Sequence, residues 1–237
     1  AIMKIRIVNP DYGVGEEAMA RRCKFLQRYV GPDVELSMVC LTQTRVEIDS
    51  ASDVVLAGPE ILHLAHQAEQ EGCQAVVLYC FSDPVLEACR EQLTIPVIGG
   101  AQASMLLFPA LARNVSVILA DPARIGEKEA FLGTLGVDRH HIGRITAIDF
   151  RGKSIWDNRE EAYGQLLAAG RELKEQGAEC VALGCLSFLG LAEPLSRELG
   201  IPVIDPAIGA VSLAESLVRQ GLATSKVAYP KPLSTAF

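Results

Sequence analysis

The 237-residue sequence lacks several features that mark other classes of protein. It has no apolar run of about 18 residues, which a membrane span would need, and its first residues do not resemble a secretory signal. It also has no Lys/Arg-rich run, and its net charge of −7 argues against nucleic acid as the main partner. We therefore expect a cytoplasmic protein whose partner is neither a membrane nor a nucleic acid.

Cysteine pairing and phosphate-binding motifs are missing as well. The seven cysteines are odd in number and include no CxxC pair, so we expect a reducing compartment and no disulfide framework. The segment DYGVGEEA (11–18) contains a GxG, which is too little for a glycine-rich phosphate loop. Each thiol must therefore be judged by its own surroundings.

What is present is an alternation of strand and helix patterns. The β-branched runs that predict buried parallel strands are 4–8, 75–79, 115–120 and 180–184. The stretches that predict helices are 15–30, 158–177 and 207–221. The expected fold class is α/β, with parallel sheets flanked by helices.

An internal repeat divides the chain into two similar halves. Segment 71–101 resembles segment 176–207, and the matched pairs, each 105 residues apart, are Cys80 with Cys185 and Ser82 with Ser187. Earlier in each half, Asn9-Pro10 matches Asp121-Pro122. The repeat predicts two pseudo-symmetric lobes, 1–98 plus 207–237 and 99–206, with the active site in the cleft between them.

Cys80 and Cys185 both follow a predicted strand, at the sheet edge where ligands bind in open parallel sheets. One thiolate could remove a proton from a carbon while the opposite thiol returns a proton to the other face, inverting the centre without a cofactor. Asp83 and Pro84 predict a helix start just after Cys80, whose dipole would lower the pKa of the thiol. Backbone amides there could hold an enolate oxygen.

The alternative is that both cysteines are small buried hydrophobes, the commonest role of a free cysteine. The matched positions and the serine two residues after each thiol favour the catalytic interpretation. The remaining cysteines have no matched setting and are predicted to be structural: Cys23, Cys40, Cys73, Cys89 and Cys180.

These motifs resemble the aspartate/glutamate/hydantoin racemase superfamily, most closely its hydantoin and allantoin racemase branch. The residues that carry the resemblance are IVNP near the start, CFSDP (80–84), LGC (183–185), and two IPVI segments, the second followed by DP. The resemblance covers essentially the whole chain. It implies a cofactor-independent, two-thiol racemase or epimerase that acts on a small molecule with an acidic C–H next to a carbonyl.

The resemblance also implies roles for individual residues. Cys80 and Cys185 would be the acid/bases, and Asn9 with Pro10 would contact the substrate at the end of the first strand. The groups that would bind a carbonyl or carboxylate after each thiol are Phe81, Ser82, Asp83, Leu186 and Ser187. Thr44, which follows another predicted strand, is a further expected substrate contact. No metal site is expected, and we expect a homo-oligomer.

The sequence departs from the hydantoin branch in ways that affect the substrate more than the chemistry. That branch usually has Cys-Phe-Gly-Asp-Pro at the first thiol and a motif resembling Gly-Cys-Ala-Gly-Met at the second, where this chain has Ser82 and Leu186-Ser187-Phe188. An amino-acid racemase, or a maleate-type isomerase or decarboxylase of the same superfamily, remains an alternative. So does a two-lobe small-molecule binding protein without catalysis.

Three other features are candidate sites. His63 and His66 lie three residues apart, but the sequence offers no clear third metal ligand, and a helix surface is the favoured interpretation. Asp121 could orient a polar substrate or cap the helix that begins at Pro122. Trp156 could pack on a lobe edge or fold over the cleft.

Overall fold

The computed structural model describes residues 2–234 and shows an α/β protein built as two compact units. Unit 1 comprises the described residues up to Gly100 and from Ala210 onward, and unit 2 comprises Ala101–Gly209. In the described part of the chain, no helix is long and apolar enough to cross a membrane. The predicted fold class, parallel sheets flanked by helices, is confirmed.

Unit 1 contains a four-stranded parallel sheet. Its strands are β1 (Met3–Tyr12), β2 (Val34–Leu41), β3 (Ala75–Leu78) and β4 (Val97–Gly99), in the order β2-β1-β3-β4. All four residues of β3 are buried, as expected for a strand covered on both faces.

Unit 2 repeats this arrangement. Its strands are β5 (Val115–Leu119), β6 (Ile142–Ala147), β7 (Val181–Leu183) and β8 (Val203–Ile204), in the order β6-β5-β7-β8, again all parallel. The two sheets therefore have the same strand order, and β3 corresponds to β7. The strands predicted at 4–8, 75–79, 115–120 and 180–184 are confirmed, although β1 runs four residues beyond its predicted end.

Eight α-helices connect and cover the strands within residues 2–234. They are α1 (Glu16–Leu26), α2 (Ala51–Gln70), α3 (Leu86–Gln92), α4 (Gly100–Leu107), α5 (Ile125–Leu132), α6 (Arg159–Glu175), α7 (Ala192–Leu199) and α8 (Pro206–Arg219). The helices predicted at 15–30, 158–177 and 207–221 are confirmed as α1, α6 and α8. Ser50 and Asp53 start α2 with a capping box, in which each side chain bonds the backbone of the other residue.

Each unit has its own apolar core between its sheet and its helices. The core of unit 1 includes Val8, Leu41, Ile61, Leu78 and Leu93, and that of unit 2 includes Ile118, Leu166, Leu183, Phe188 and Leu195. The end of α8 belongs to unit 1, where Glu215 accepts a hydrogen bond from the backbone N–H of Gly31 at 3.1 Å. These cores hold the carboxyl ends of the strands in place.

Candidate active site

Cys80 lies two residues beyond the end of β3 and is half-buried. The backbone N–H of Tyr79, just before it, donates to the carbonyl of Val8 in β1 at 2.9 Å. This bond continues the pairing of β3 with β1, so the thiol stands at the carboxyl edge of the sheet beside the end of β1. In unit 1 the structure thus brings Cys80 to the sheet edge that the sequence predicts.

The Cys80 loop, residues 80–86, has a strained backbone. Asp83 and Val85 adopt φ values of +43° and +50°. Asp tolerates this left-handed region, but a β-branched residue does so rarely, because its Cβ crowds the backbone. Strain of this kind persists where the surrounding structure imposes it, and it is frequent at active sites.

The helix start predicted after Cys80 is wrong. We expected Asp83 to cap a helix beginning at Pro84, but α3 begins at Leu86 with Val85 as its N-cap. The left-handed turn at Val85 separates Asp83 from the helix. The same holds in unit 2, where Cys185 is followed by a 3-10 turn (Leu186–Phe188) and α7 begins at Ala192. Neither thiol is therefore followed directly by an α-helix.

Asp83 is buried, and its carboxyl group packs directly against Gly99 at the end of β4. A Cβ at position 99 would overlap that carboxyl group, so the position requires glycine. The side chain that we expected to bind substrate is thus directed toward the neighbouring strand of its own sheet.

Asn9 and Pro10 are buried at the end of β1. The side-chain oxygen of Asn9 accepts the backbone N–H of Asp11 at 3.2 Å, in the irregular stretch of β1 between Asn9 and Tyr12. Since β1 pairs with β3, the ends of both strands lie at one edge of the sheet, and Asn9 shares that edge with Cys80.

Thr44 lies in the loop after β2 and is half-buried. Glu60 of α2 holds this loop, because its carboxylate accepts the backbone N–H groups of Thr42, Gln43 and Thr44 at 2.7, 3.0 and 2.7 Å. Burial raises the pKa of Glu60, but these three N–H bonds outweigh it, so the pKa lies below its usual value. The position of Thr44 is thus set by a side chain that we did not single out from the sequence.

In unit 2, Cys185 occupies the equivalent place, two residues beyond the end of β7, and is also half-buried. The backbone N–H of Gly184 donates to the carbonyl of Ile118 in β5 at 2.8 Å, as Tyr79 does to Val8 in unit 1. Ser187 is half-buried, whereas Leu186 is buried. The side chain of Phe81, which corresponds to Leu186, is likewise buried.

Asn9 and Asp121, which the repeat matches, make the same local bond. The side-chain oxygen of each accepts the backbone N–H of the residue two positions later, and a proline lies between. The pairing of β1 with β2 is irregular between Asn9 and Tyr12, so the strand register does not extend to this turn. The match of Asn9 with Asp121 stays a prediction from the sequence.

Asp121 forms an ion pair with Arg151 at 2.7 Å and also accepts the backbone N–H of Ala123 at 2.9 Å. The Arg151 hydrogen bonds hold the pKa of Asp121 below its usual value. Its carboxylate thus caps the 3-10 turn at Pro122 and binds an arginine that we did not predict from the sequence.

Two further charged residues at the Cys185 edge were also missed. Asp205 follows β8 and is buried, and Arg159 begins α6 and donates to the carbonyl of Leu189 at 2.8 Å. Burial raises the pKa of Asp205 to about 6, against opposing backbone N–H bonds and the charge of Arg159. The DP pair after the second IPVI segment was the available signal for Asp205. Arg159 had no signal in the sequence.

Trp156 packs its ring against the Arg159 guanidinium, and the guanidinium carbon lies 4.3 Å from the ring centroid.

Four of the other cysteines are poor acid/bases at neutral pH, because burial raises the pKa of each. Burial raises the pKa of Cys23 and Cys180 to about 11 and that of Cys89 to about 12. Burial also raises the pKa of Cys73. His63 and His66 lie on α2, and no group of three potential metal ligands occurs among residues 2–234.

A comparison with known protein families identifies the family of this chain. The model of the Asp/Glu/hydantoin racemase family matches residues 5–214. The chain belongs to this family. It is therefore an enzyme of the isomerase class, a racemase of this superfamily.

Individual relatives agree with this racemase assignment over nearly the whole chain. A hydantoin racemase from Rhizobium meliloti is 34% identical over 233 residues, 97% of this chain and 95% of that protein. A hydantoin racemase from Paenarthrobacter aurescens is 30% identical over 237 residues, 97% and 98% of the two chains. The structure of an allantoin racemase from Klebsiella pneumoniae superposes with a TM-score of 0.86 at 29% identity, covering 99% and 96%.

Proposed function

We propose that this racemase is cofactor-independent and uses Cys80 and Cys185 as its two acid/bases on a hydantoin-like or related cyclic ureide. One sulfur, as thiolate, takes the proton from the stereocentre next to the ring carbonyl. The other, as thiol, donates a proton to the opposite face. Each turnover leaves the two sulfurs with exchanged protonation, which is the state that the reverse reaction requires.

The observation that carries this proposal is the equivalence of the two thiol settings. Each thiol is half-buried and lies two residues beyond the third strand of a parallel sheet with the same strand order. The other cysteines with resolved pKa shifts are held as neutral thiols by burial. A duplicated fold that presents one thiol per repeat suits a reaction with two opposed proton transfers.

The substrate contacts follow from the same strand ends. We assign Asn9 with Pro10, Thr44, Ser82 and Ser187 to hold the polar ring atoms. Phe81 and Leu186 have buried side chains, so they would contribute backbone N–H groups, and Asp83 would shape the loop from within. Backbone N–H groups aimed at the ring carbonyl would stabilise its oxygen as negative charge develops there.

The ureide substrate class is supported by the relatives named hydantoin racemase, which align with almost the whole chain at 30% identity or more. A hydantoin C–H lies between a ring nitrogen and a carbonyl, so its conjugate base is delocalised onto the carbonyl oxygen. A thiolate is a suitable base for such a carbon, because the pKa of a free cysteine, about 8.5, is the one nearest to neutral among thiol and alcohol side chains.

The test is racemisation of single enantiomers of 5-substituted hydantoins, followed by polarimetry, with aspartate, glutamate and an arylmalonate as competing substrate classes. Cys80→Ser and Cys185→Ser should each lower the rate at least ~1,000-fold, because an alcohol is a far weaker acid than a thiol at neutral pH. Cys23→Ser, which also changes a half-buried thiol, is the control and should retain the wild-type rate. Full activity in both catalytic variants would exclude the two-thiol mechanism, and turnover of another substrate class alone would exclude the ureide.

A further inference from the structure

The Cys185 loop, residues 185–191, is attached to the rest of unit 2 by a buried carboxylate. Asp205 is 6% exposed, and its two oxygens bond different elements. One accepts the backbone N–H of Gly190 at 2.8 Å, and the other accepts those of Ala207 and Ile208 at 3.0 and 3.3 Å. The carboxylate therefore joins the loop to the first turn of α8.

A second charged side chain holds the same loop one residue earlier. Arg159 donates to the carbonyl of Leu189 at 2.8 Å, and Trp156 covers its guanidinium. Gly190, between this bond and α7, adopts φ +85°, a conformation that other residues rarely adopt. The C=O and the N–H of one peptide group, Leu189–Gly190, are thus both bonded to charged side chains from distant segments.

Unit 1 uses a carboxylate in the same place but takes it from the opposite side. By the repeat offset, Val85 corresponds to Gly190, and both have positive φ. Gly99 corresponds to Asp205, and the carboxyl group of Asp83, from within the Cys80 loop, packs against that glycine. In unit 2 the strand end supplies the carboxylate and the loop supplies a glycine, whereas in unit 1 the loop supplies the carboxylate and the strand end supplies the glycine.

The two units take the carboxylate from different segments, yet both keep a buried carboxylate beside the thiol loop. This suggests that the carboxylate itself is required. Resting on the two-thiol function proposed above, we propose that Asp205 and Asp83 are positioning residues that fix the loops of Cys185 and Cys80. A proton-transferring group must be held to about 0.5 Å, and a displacement of about 1 Å can cost about 100-fold in rate. Neither carboxylate is assigned contact with the substrate.

The ionised form of Asp205 is the one that performs this role, since it accepts three N–H groups, whereas a protonated acid gives up part of that capacity. Arg159 of α6 is the charged group that faces it, and the amides of Gly190, Ala207 and Ile208 supply the remaining partners. Activity that depends on this ion should therefore decline as the pH falls through about 6.

The experiment measures alkylation of each thiol by iodoacetamide, resolved by peptide mass spectrometry, together with hydantoin racemisation between pH 5 and 8. Asp205→Asn should lower kcat ~10-fold to 100-fold with little change in KM, and remove the decline near pH 6. It should change the alkylation rate of Cys185 more than that of Cys80. Asp83→Asn should do the reverse.

Glu179→Gln is the matched control, because the Glu179 carboxylate also accepts backbone N–H groups, from Arg113 and Asn114 at 2.7 and 3.3 Å, but just before β5. It should leave kcat and both alkylation rates unchanged. The proposal would be overturned if Asp205→Asn and Asp83→Asn both kept the kcat, the pH profile and the alkylation rates of the wild type. Because alkylation needs no substrate, it tests positioning even if hydantoins are not turned over, so the two failures are distinguishable.

Discussion

At the scale of single residues, the position just before each thiol shows how the same backbone role is met by different side chains. Tyr79 and Gly184 are repeat counterparts, and each donates its N–H to the adjacent strand. Tyr79 is buried, and the guanidinium carbon of Arg22 lies over its ring, 5.4 Å from the ring centroid. Gly184 has no room for a side chain: a Cβ would lie 2.9 Å from the carbonyl oxygen of Ile118.

Gly184→Ala should therefore lower the free energy of unfolding by about 1–3 kcal/mol, because the backbone of β5 must move to admit the methyl group. Activity should fall as well, since Cys185 is the next residue. Gly164→Ala is the control: this glycine lies in α6 with open space around it, and the change should add up to about 1 kcal/mol of stability. Urea unfolding of the wild type and both variants gives these differences in the free energy of unfolding. Equal stability of the Gly184→Ala and Gly164→Ala variants would contradict the clash at position 184.

Asp205 makes a prediction about stability that is separate from its effect on the loop. Its pKa is raised from 3.8 to about 6, so between these values the folded state binds a proton that the unfolded chain has released. The free energy of unfolding contributed by this group is therefore present below about pH 4 and is lost as the pH rises through about 6. The ionised Asp205 carboxylate thus lowers the free energy of unfolding above about pH 6, in the pH range where the loop contacts require it.

Accordingly, the wild type should lose stability relative to Asp205→Asn as the pH rises from 4 to 6, because the asparagine does not titrate. Urea unfolding of both proteins at several pH values gives the difference directly. A difference that is constant over this range would show that the carboxyl group has an ordinary pKa.

At the scale of elements, the Cys80 loop and α2 depend on each other. Val85 has positive φ, and its Cγ1 would lie 3.0 Å from a Cβ at Gly58 of α2. The missing side chain at Gly58 gives space to the strained residue that precedes α3. Gly58 also precedes Pro59 inside α2, and a proline disfavours helical backbone at a preceding residue that carries a Cβ.

A double-mutant cycle tests this dependence. Gly58→Ala alone should be destabilising, because the added Cβ contacts Val85 and precedes a proline in the helix. In a Val85→Ala background the same change should destabilise less, with a coupling of about 1 kcal/mol between the two positions. Additive effects would mean that the two residues do not constrain each other.

The repeat also explains how much of each element was predictable. Strands such as β3 and β7 are short runs of apolar, mostly β-branched residues, and their pattern alone locates them and the thiols that follow. The left-handed turn at Val85 was not predictable, because β-branched residues rarely adopt it. The sequence pattern therefore indicated an earlier helix start than the structure has.

Contacts between distant segments were equally hidden. Glu69 accepts the backbone N–H of Thr94 at 2.8 Å ahead of β4, whereas its repeat counterpart, Lys174, donates to the carbonyl of Leu199 at 2.6 Å ahead of β8. The two side chains carry opposite charges and secure the same junction. Comparison of the sequences shows a mismatch there, although the structural role is retained. Arg159 likewise bonds a distant segment, at the carbonyl of Leu189, and the sequence carries no signal of that contact.

At the scale of the whole molecule, two units with one strand order each present a half-buried thiol at a strand end. Family membership and relatives matched over nearly the full length agree with a racemase. The proposed mechanism requires one further property, that each thiol serves one face of the same substrate carbon. Loss of racemisation in cysteine variants would not establish this by itself, since either thiol could be needed for binding.

Proton washout in D2O tests the central claim most directly. With one thiol replaced by serine, the remaining thiolate can still remove the proton from the enantiomer that faces it and return deuterium to the same side. We therefore predict that Cys80→Ser and Cys185→Ser each exchange the stereocentre proton of one hydantoin enantiomer, and that the two variants act on opposite enantiomers, as followed by NMR. Exchange of the same enantiomer, or of both enantiomers, by both variants would contradict the account.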